Sequence, residues 1–494
     1  MTSEAGPGPQ YDQLIQDIAA YVYDYQISSP KAWIDARVAL LDSMACAIES
    51  VPACSSFIGP ISEGTIVPNG FPLPGTSHVL DPHKAAFDLG SLIRYLDHSD
   101  AFPGKEWGHP SDNIGAILPV ADWLSRKGDD KITMELVAEL ATKAYEIQGC
   151  LQVRRTVIGS WLAPADNHAL QMKNAFNEIG IDHVILVKLA STAVLSKLVG
   201  LTRDQANAAI SQVFADGQPL RLYRQAPNTS PRKGWAAGDA CMRAVHLVFM
   251  TKSGQPGFPT ALTAKKWGFY ELFWGGKEFV LPVPFKTNVM ENHLTKLVTA
   301  EGHGISAVEA ALQLAGQIDG RLDDIQSIHI RTQAAAMTII DKTGPLHNAA
   351  DRDHCMRYMV ALTLVKKDWP EPKDYENDSE WAVNPLIEEL RGKITMAEDP
   401  QMTKDYHDVR VRNCANGLTV TFKNGEKLAE TLVEKPIGHP WRTDTREGTK
   451  TKFLKLTAGV VQDPVRVWDT FMAAELASVK VRDWVDQFVP KTSS

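Results

Sequence analysis

The chain has 494 residues, 44% of them hydrophobic and 22% charged, with a formal net charge of −8. That length points to two or three domains rather than one core. The acidic balance argues against non-specific nucleic-acid binding, and no apolar run is long enough to span a membrane. Leu14, Ile18 and Val22 recur at helical spacing, and Val38, Leu41, Ala45 and Ile48 mark a second helix. Ala86, Leu89 and Ile93 share one face of a third, and NIGAILPVADWL (113–124) reads as a fourth, with Pro119 as a kink site. Between these two lies LDHSDAFPGKEWGHPSDN (96–113). Its prolines (Pro103, Pro110) and glycines (Gly104, Gly108) make most of it loop. Asp97, His98, Asp100, Lys105, Glu106, His109 and Asp112 load it with polar chemistry. A polar loop clamped between apolar helices is costly unless its charges are paired or used, which is the usual setting of an active site.

Further along, Thr202 and Gln205 form a capping box ahead of DQANAAISQVF. After about residue 290 the texture changes. Ile328 and Ile330 alternate with polar neighbours, and Asn424-Gly425 sits between two strand-like runs, a hairpin signal. From about 446 the pattern is helical again. The expected fold is mainly α, with a large all-helical domain (1–290), a smaller α+β unit (291–432) and a C-terminal helical segment (433–494). The N-terminal MTSEAGPGPQYDQ has neither an apolar signal core nor an Arg-rich amphipathic stretch. Six cysteines (46, 54, 150, 241, 355, 414) are scattered without a CxxC, which suits free thiols and rules out the clustered thiolates an iron–sulfur centre requires.

The 96–113 loop resembles the signature of the MmgE/PrpD family. So, in order, do IVPNGFPLPGT (66–76), EIQGC (146–150), DHVILVKLASTAV (182–194), DGQPLRLYRQAPNT (216–229), RKGWAAGDA (232–240), RTQAAAMTIIDKTGPLHNAADRDHCMRYMVA (331–361) and VEKPIGH (433–439). The resemblance implies a helical domain with a smaller α+β lid, the tail packing back on the first domain, and a homodimer. It implies cofactor-independent dehydration of 2-methylcitrate to 2-methyl-cis-aconitate, with longer alkylcitrates as the alternative substrates. It also suggests a mitochondrial address, whereas the N-terminus shows no transit character and leaves the cytoplasm open.

Removing water from a β-hydroxy carboxylate needs a base for a C–H proton, an acid for the departing hydroxyl, and cations for the carboxylates. His109 and His183 suit acid–base work near neutral pH, and Asp97 and Asp100 lie close by in sequence. Arg221, Arg224, Arg232 and Lys233 form the densest basic cluster, fit for bidentate carboxylate contacts. Lys296 and His303 fall where the texture changes. The resemblance points to Asp97, His109, His183, Lys233 and Lys296 as site residues. His98, His293 and His329 read as structural, and Asp351, Arg352, Asp353 and His354 as a lid salt-bridge cluster. A metal held by Asp97, His98, Asp100 and His109 is the minor reading, since no paired-histidine spacing supports it. Two departures from the family pattern stand out. Lys105 adds a cation, and Gly302 and Gly304 in TAEGHG remove bulk, as a longer substrate would require.

One segment interrupts the resemblance. Deleting Val153 to Gln171 leaves GCLQMKNAFNEIGIDH, which reads as family text without a gap. Valine codons begin GT and a glutamine codon can end AG, so the segment is expected to be translated intron, which implies a eukaryotic source. The alternative is a genuine surface insertion, which loop closure tolerates cheaply. If the segment displaced His183, the product would be an inactive scaffold.

Overall fold

The computed structural model describes residues 10–104, 106–152, 176–224, 228–279, 281, 284–408 and 411–490. The segment 153–171 and Lys105 lie outside the described residues. Helices make up 54% of the structure and the sheets are small, so the protein is mainly α.

The expected N-terminal helices form at Gln13–Asp24, Pro30–Cys54, Pro82–Arg94 and Ile114–Arg126, the last running through Pro119. Met134–Gln152, Val184–Leu198, Arg203–Ala215 and Arg232–Lys252 follow. The Thr202/Gln205 capping box is present in both directions. Val184–Leu198 is buried on all sides except at Lys197. A helix buried on almost every face, Lys188 included, belongs in the middle of a core. Pro82–Arg94, Ile114–Arg126 and Arg232–Lys252 meet backbone to backbone. A Cβ on Gly115 would sit 2.4 Å from the Gly90 Cα, and one on Gly238 2.2 Å from the Phe87 carbonyl oxygen. This contact fixes the helix ends from which the 96–113 loop and Lys233 project.

Beyond residue 290 a four-stranded sheet appears in the order Ile394–Glu398, Ile325–Thr332, Asn416–Phe422, Thr431–Val433. The first pair is parallel and the others antiparallel. Ile328 and Ile330 point into the core while His329 is exposed, as the alternation required. The Asn424-Gly425 turn forms, with Gly425 at φ 87° and the Asn424 side chain accepting the Glu426 N–H.

Buried apolar side chains form two clusters. One draws on residues 14–290 together with Phe453, Trp468, Phe471, Trp484 and Phe488 of the tail; the other runs from Leu294 to Val433. The tail helices Thr445–Thr457 and Pro464–Ala473 therefore pack with the first cluster. Among the described residues no helix is long and apolar enough to cross a membrane.

Candidate active site

The 96–113 loop leaves its helix through Asp97, whose φ of 55° is uncommon for a non-glycine residue. Asp97 is held there on both sides. Arg94, one turn back, pairs with one carboxylate oxygen; Lys296 Nζ lies 2.7 Å from the other and 3.0 Å from the backbone carbonyl. All three side chains are sealed from solvent. Burial pushes the Asp97 carboxyl up, but the charges of Arg94 and Lys296 overcome it and hold the group well below the usual carboxylate range. The loop then bonds to Leu294 at Ala101 and doubles back from Phe102 to Gly108. Gly108 passes so close to the helix Met134–Gln152 that a Cβ would stand 2.6 Å from the side chains of Gln148 and Gln152. Asn113 fastens the far end, donating to Gln148 (2.6 Å) and accepting from Ser191 (2.8 Å).

Two histidines meet in this frame, with ring centroids 5.9 Å apart. His109 Nδ1 lies 2.5 Å from the backbone carbonyl of Asp100. A carbonyl only accepts, so Nδ1 carries the proton and Nε2 keeps its lone pair. His183 begins the helix Val184–Leu198 and has no hydrogen-bond partner on either ring nitrogen. Burial, reinforced at His109 by Arg94 and Lys296, pushes its pKa well below the ordinary histidine value. Burial does the same at His183, against the pull of Asp182 and with the help of Arg224 and Arg221. Both rings are neutral at pH 7.

His109 and His183 line a cavity of about 440 Å³ together with Arg221, Arg224, Trp107, Glu301, Ala334, Ile339 and His354. Residues of both apolar clusters' segments form its walls. The size suits a small organic acid. Two larger clefts, of about 540 and 500 Å³, lie elsewhere and contain neither histidine. Arg224 Nε donates to Asp182 (2.6 Å) and Arg221 to Glu106 (3.1 Å). The Arg221 Nε is buried without a partner, so donors remain for an incoming anion. Glu106 is pushed up to about 7 by burial, against the pull of Arg221.

The other expected residues are placed differently. The Asp100 carboxylate accepts from the Ser111 hydroxyl (2.6 Å) and N–H (3.1 Å) and does not line the cavity; its backbone carbonyl is what meets His109. Asp97 and Lys296 do not line the cavity. Lys233 Nζ binds Asp353 (2.8 Å) and lies 3.2 Å from His354 Nδ1, an ion pair joining the two apolar clusters' segments. His303 is spent on Glu301 through Nδ1 (2.9 Å) and on the Tyr406 hydroxyl through Nε2 (3.0 Å), leaving no ring nitrogen for substrate. Gly302 borders a second, smaller chamber. Gly304 opens no space, because a Cβ there would meet the Met359 methyl at 2.6 Å. His98 pairs with Glu49 (2.7 Å), His293 with the Met290 carbonyl (2.7 Å) and His329 with Thr395 (3.0 Å). Asp97, His98, Asp100 and His109 thus turn to four different sets of partners, and they offer a metal no convergent ligands. Sequence reasoning gave no site role to Trp107, Glu106, Glu301, His354 or Tyr406. Glu106, Trp107 and His354 stood in recognised strings and Glu301 in TAEGHG, whereas Tyr406 carries no local signal.

The chain matches the MmgE/PrpD N-terminal domain over residues 16–157 and 167–282 and the MmgE/PrpD C-terminal domain over 299–474. It therefore belongs to the MmgE/PrpD family. The unmatched stretch between 157 and 167 falls inside the segment 153–171. A 2-methylcitrate dehydratase-like protein of Aspergillus oryzae, oryR, is 50% identical, covering 98% of this chain and 97% of the relative. The alkylcitrate dehydratase phiI of a fungal species is 46% identical, over 98% and 94%. The 2-methylcitrate dehydratase of Salmonella typhimurium is 47% identical, over 89% of each chain.

Proposed function

We propose that this protein is a hydro-lyase that dehydrates 2-methylcitrate to 2-methyl-cis-aconitate with side chains alone. The observation that carries the reading is the pair of neutral, desolvated imidazoles 5.9 Å apart in a cavity flanked by Arg221 and Arg224. The family and its relatives' names supply the substrate. His109 Nε2, with its lone pair free, takes the proton from the carbon next to a carboxylate. Arg221 and Arg224 hold carboxylates and stabilise the charge that builds on one of them. A tricarboxylate brings negative charge against His183 and offsets the two arginines that depress it. His183 then takes up a proton and delivers it to the departing hydroxyl, which leaves as water. Asp97, Lys296 and Lys233 fix the loop and the cleft wall.

Longer alkylcitrates are the second reading, favoured by the apolar side of the cavity at Ala334 and Ile339 and by the likeness to an alkylcitrate dehydratase. The domain reading is a helical body (1–290 with the tail 433–494) and an α+β lid (291–432), assembled as a homodimer. The segment 153–171 is read as an insertion of intronic origin. Sequencing the transcript tests that, since mature messages that uniformly retain it would make the segment genuine.

The functional test is incubation of the purified chain with 2-methylcitrate, citrate and longer alkylcitrates after exhaustive chelation, following the absorbance of the conjugated product. Turnover that is greatest with 2-methylcitrate is expected. Turnover of none overturns the reading, and activity restored only by a divalent ion overturns the side-chain mechanism.

A further inference from the structure

Beside the main cavity lies a chamber of about 50 Å³ that shares Trp107, His109 and Glu301 with it. Phe102, Leu294, Tyr406, Arg412 and His439 also line it. Its polar groups are almost all engaged with one another. Trp107 Nε1 donates to the Tyr406 hydroxyl (2.7 Å), that hydroxyl meets His303 Nε2, and His303 Nδ1 meets Glu301. Glu301, the carboxylate of the chamber, has its oxygens taken by the backbone N–H and ring of His303. His439 Nε2 donates to the Arg412 carbonyl (3.0 Å), and its Nδ1 accepts the Trp441 N–H.

The exceptions are the Asn413 Oδ1, buried without a partner, and Arg412. Among the described residues no carboxylate pairs with its guanidinium, which lies over the Phe102 ring at 4.9 Å. Burial lowers its pKa to about 10. Its φ of 46° is strained for a side chain of this size, and the backbone is pinned in place by His439 and by a bond to the Asp408 carbonyl (2.7 Å). Arg412 is partly exposed and Glu146 acts on it from beyond hydrogen-bond distance, yet no carboxylate among the described residues pairs with it directly, and the protein strains its backbone to hold it at a chamber wall. The chamber has room for a carboxylate but not for a long alkyl chain.

We propose that Arg412 is the binding site for one carboxylate of the substrate, which enters this chamber while the reacting carbon stands at His109. The proposal rests on the tricarboxylate reading above. It places one carboxylate against the Arg412 guanidinium and leaves a longer alkyl substituent to the 440 Å³ cavity.

The probe is tricarballylate (propane-1,2,3-tricarboxylate), titrated calorimetrically into the full chain and into its Arg412→Gln, Arg412→Met and Arg412→Lys variants. Loss of a charged hydrogen bond should weaken binding roughly ten- to a hundredfold in the first two, with partial recovery in the third. The ligand-free Arg412→Met protein should melt no lower than the wild type, because it has lost a charge that no carboxylate pairs with directly. Unchanged affinity, or a fall in melting temperature that accompanies the loss of affinity, overturns the proposal. Weakened binding in a protein that turns over no 2-methylcitrate leaves Arg412 standing and removes the dehydratase reading. Normal turnover with an unaltered KM in Arg412→Gln does the reverse.

Discussion

His109 and His183 face the cavity as neutral rings, one with a free lone pair and one without a hydrogen bond on either nitrogen, whereas Arg94, Asp97 and Lys296, within electrostatic reach of His109, form a sealed set of full charges. Both groups are deeply buried. The difference lies in what burial leaves each side chain able to do. An imidazole escapes the cost of desolvation by giving up its proton at little expense, since its ordinary pKa is close to neutral. Arginine, lysine and aspartate have no such escape at pH 7 and must pair. Lone pairs therefore stay free on the imidazoles, while the charged set is spent on holding the loop.

The sharpest way to break this contrast is His109→Gln. Turnover should fall by roughly 10²–10⁴-fold while the unfolding midpoint hardly moves; near-wild-type steady-state rates would return His109 to the structural class. Asp97→Asn should do the opposite. It keeps the shape but leaves Arg94 and Lys296 uncompensated, so urea denaturation should report a loss of about 3–5 kcal/mol. A stability within 1 kcal/mol of wild type, roughly the reach of an ordinary surface pair, would mean that the network does not hold the loop. Lys233→Met removes the ion pair with Asp353 and should lower kcat/KM by about 1.5–3 kcal/mol in transition-state terms. Unaltered kinetics would show that the cleft wall needs no such tie.

Acid titration gives the smallest effect. The folded-state pKa of both histidines lies below the unfolded value of 6.5. Above pH 6.5 their contribution is complete. As the pH falls below 6.5 the unfolded chain binds protons that the folded one refuses. Each ring then costs up to about 1.4 kcal/mol per pH unit until its depressed folded pKa is reached. Glu106 has the opposite sign, losing stability as the pH rises from 4.5 to about 7. Comparing denaturation midpoints of the wild type and His183→Gln between pH 5 and 7.5 isolates one histidine's share. Parallel curves would show that His183 is not desolvated in solution.

Much of this was legible in the chain. The 96–113 loop announced itself because charges, prolines and glycines interrupt two apolar helices, and Ile328 and Ile330 declared their strand by alternation. The histidine pair was readable only as two residues in recognisable strings. That they share a cavity depends on packing between the Met134–Gln152 and Val184–Leu198 helices, fixed by Gln148, Asn113 and Ser191. The fates of Lys233, Lys296 and His303 were not legible at all. A lysine's type does not reveal whether its partner is a substrate or an aspartate more than a hundred residues away. Arg412 was silent for the complementary reason: its significance is a missing partner, which no local pattern displays.

Lys452 gives the architecture a consequence in time. From the tail helix Thr445–Thr457 its buried ammonium reaches back to the carbonyls of His98 (2.6 Å) and Lys296 (2.9 Å) and to Asp42 (2.8 Å). The loop that carries His109 is thus tied down by a residue made some 340 positions after it, an interval of about half a minute at ordinary rates of translation. The core running from Leu294 to Val433 can close while the ribosome is still at work. The first core must wait for Phe453, Trp468 and Trp484. A nascent chain carries both histidines for most of its synthesis without the Lys452 tie, and a stop codon between the sheet and Phe453 would leave the first core short of its tail side chains.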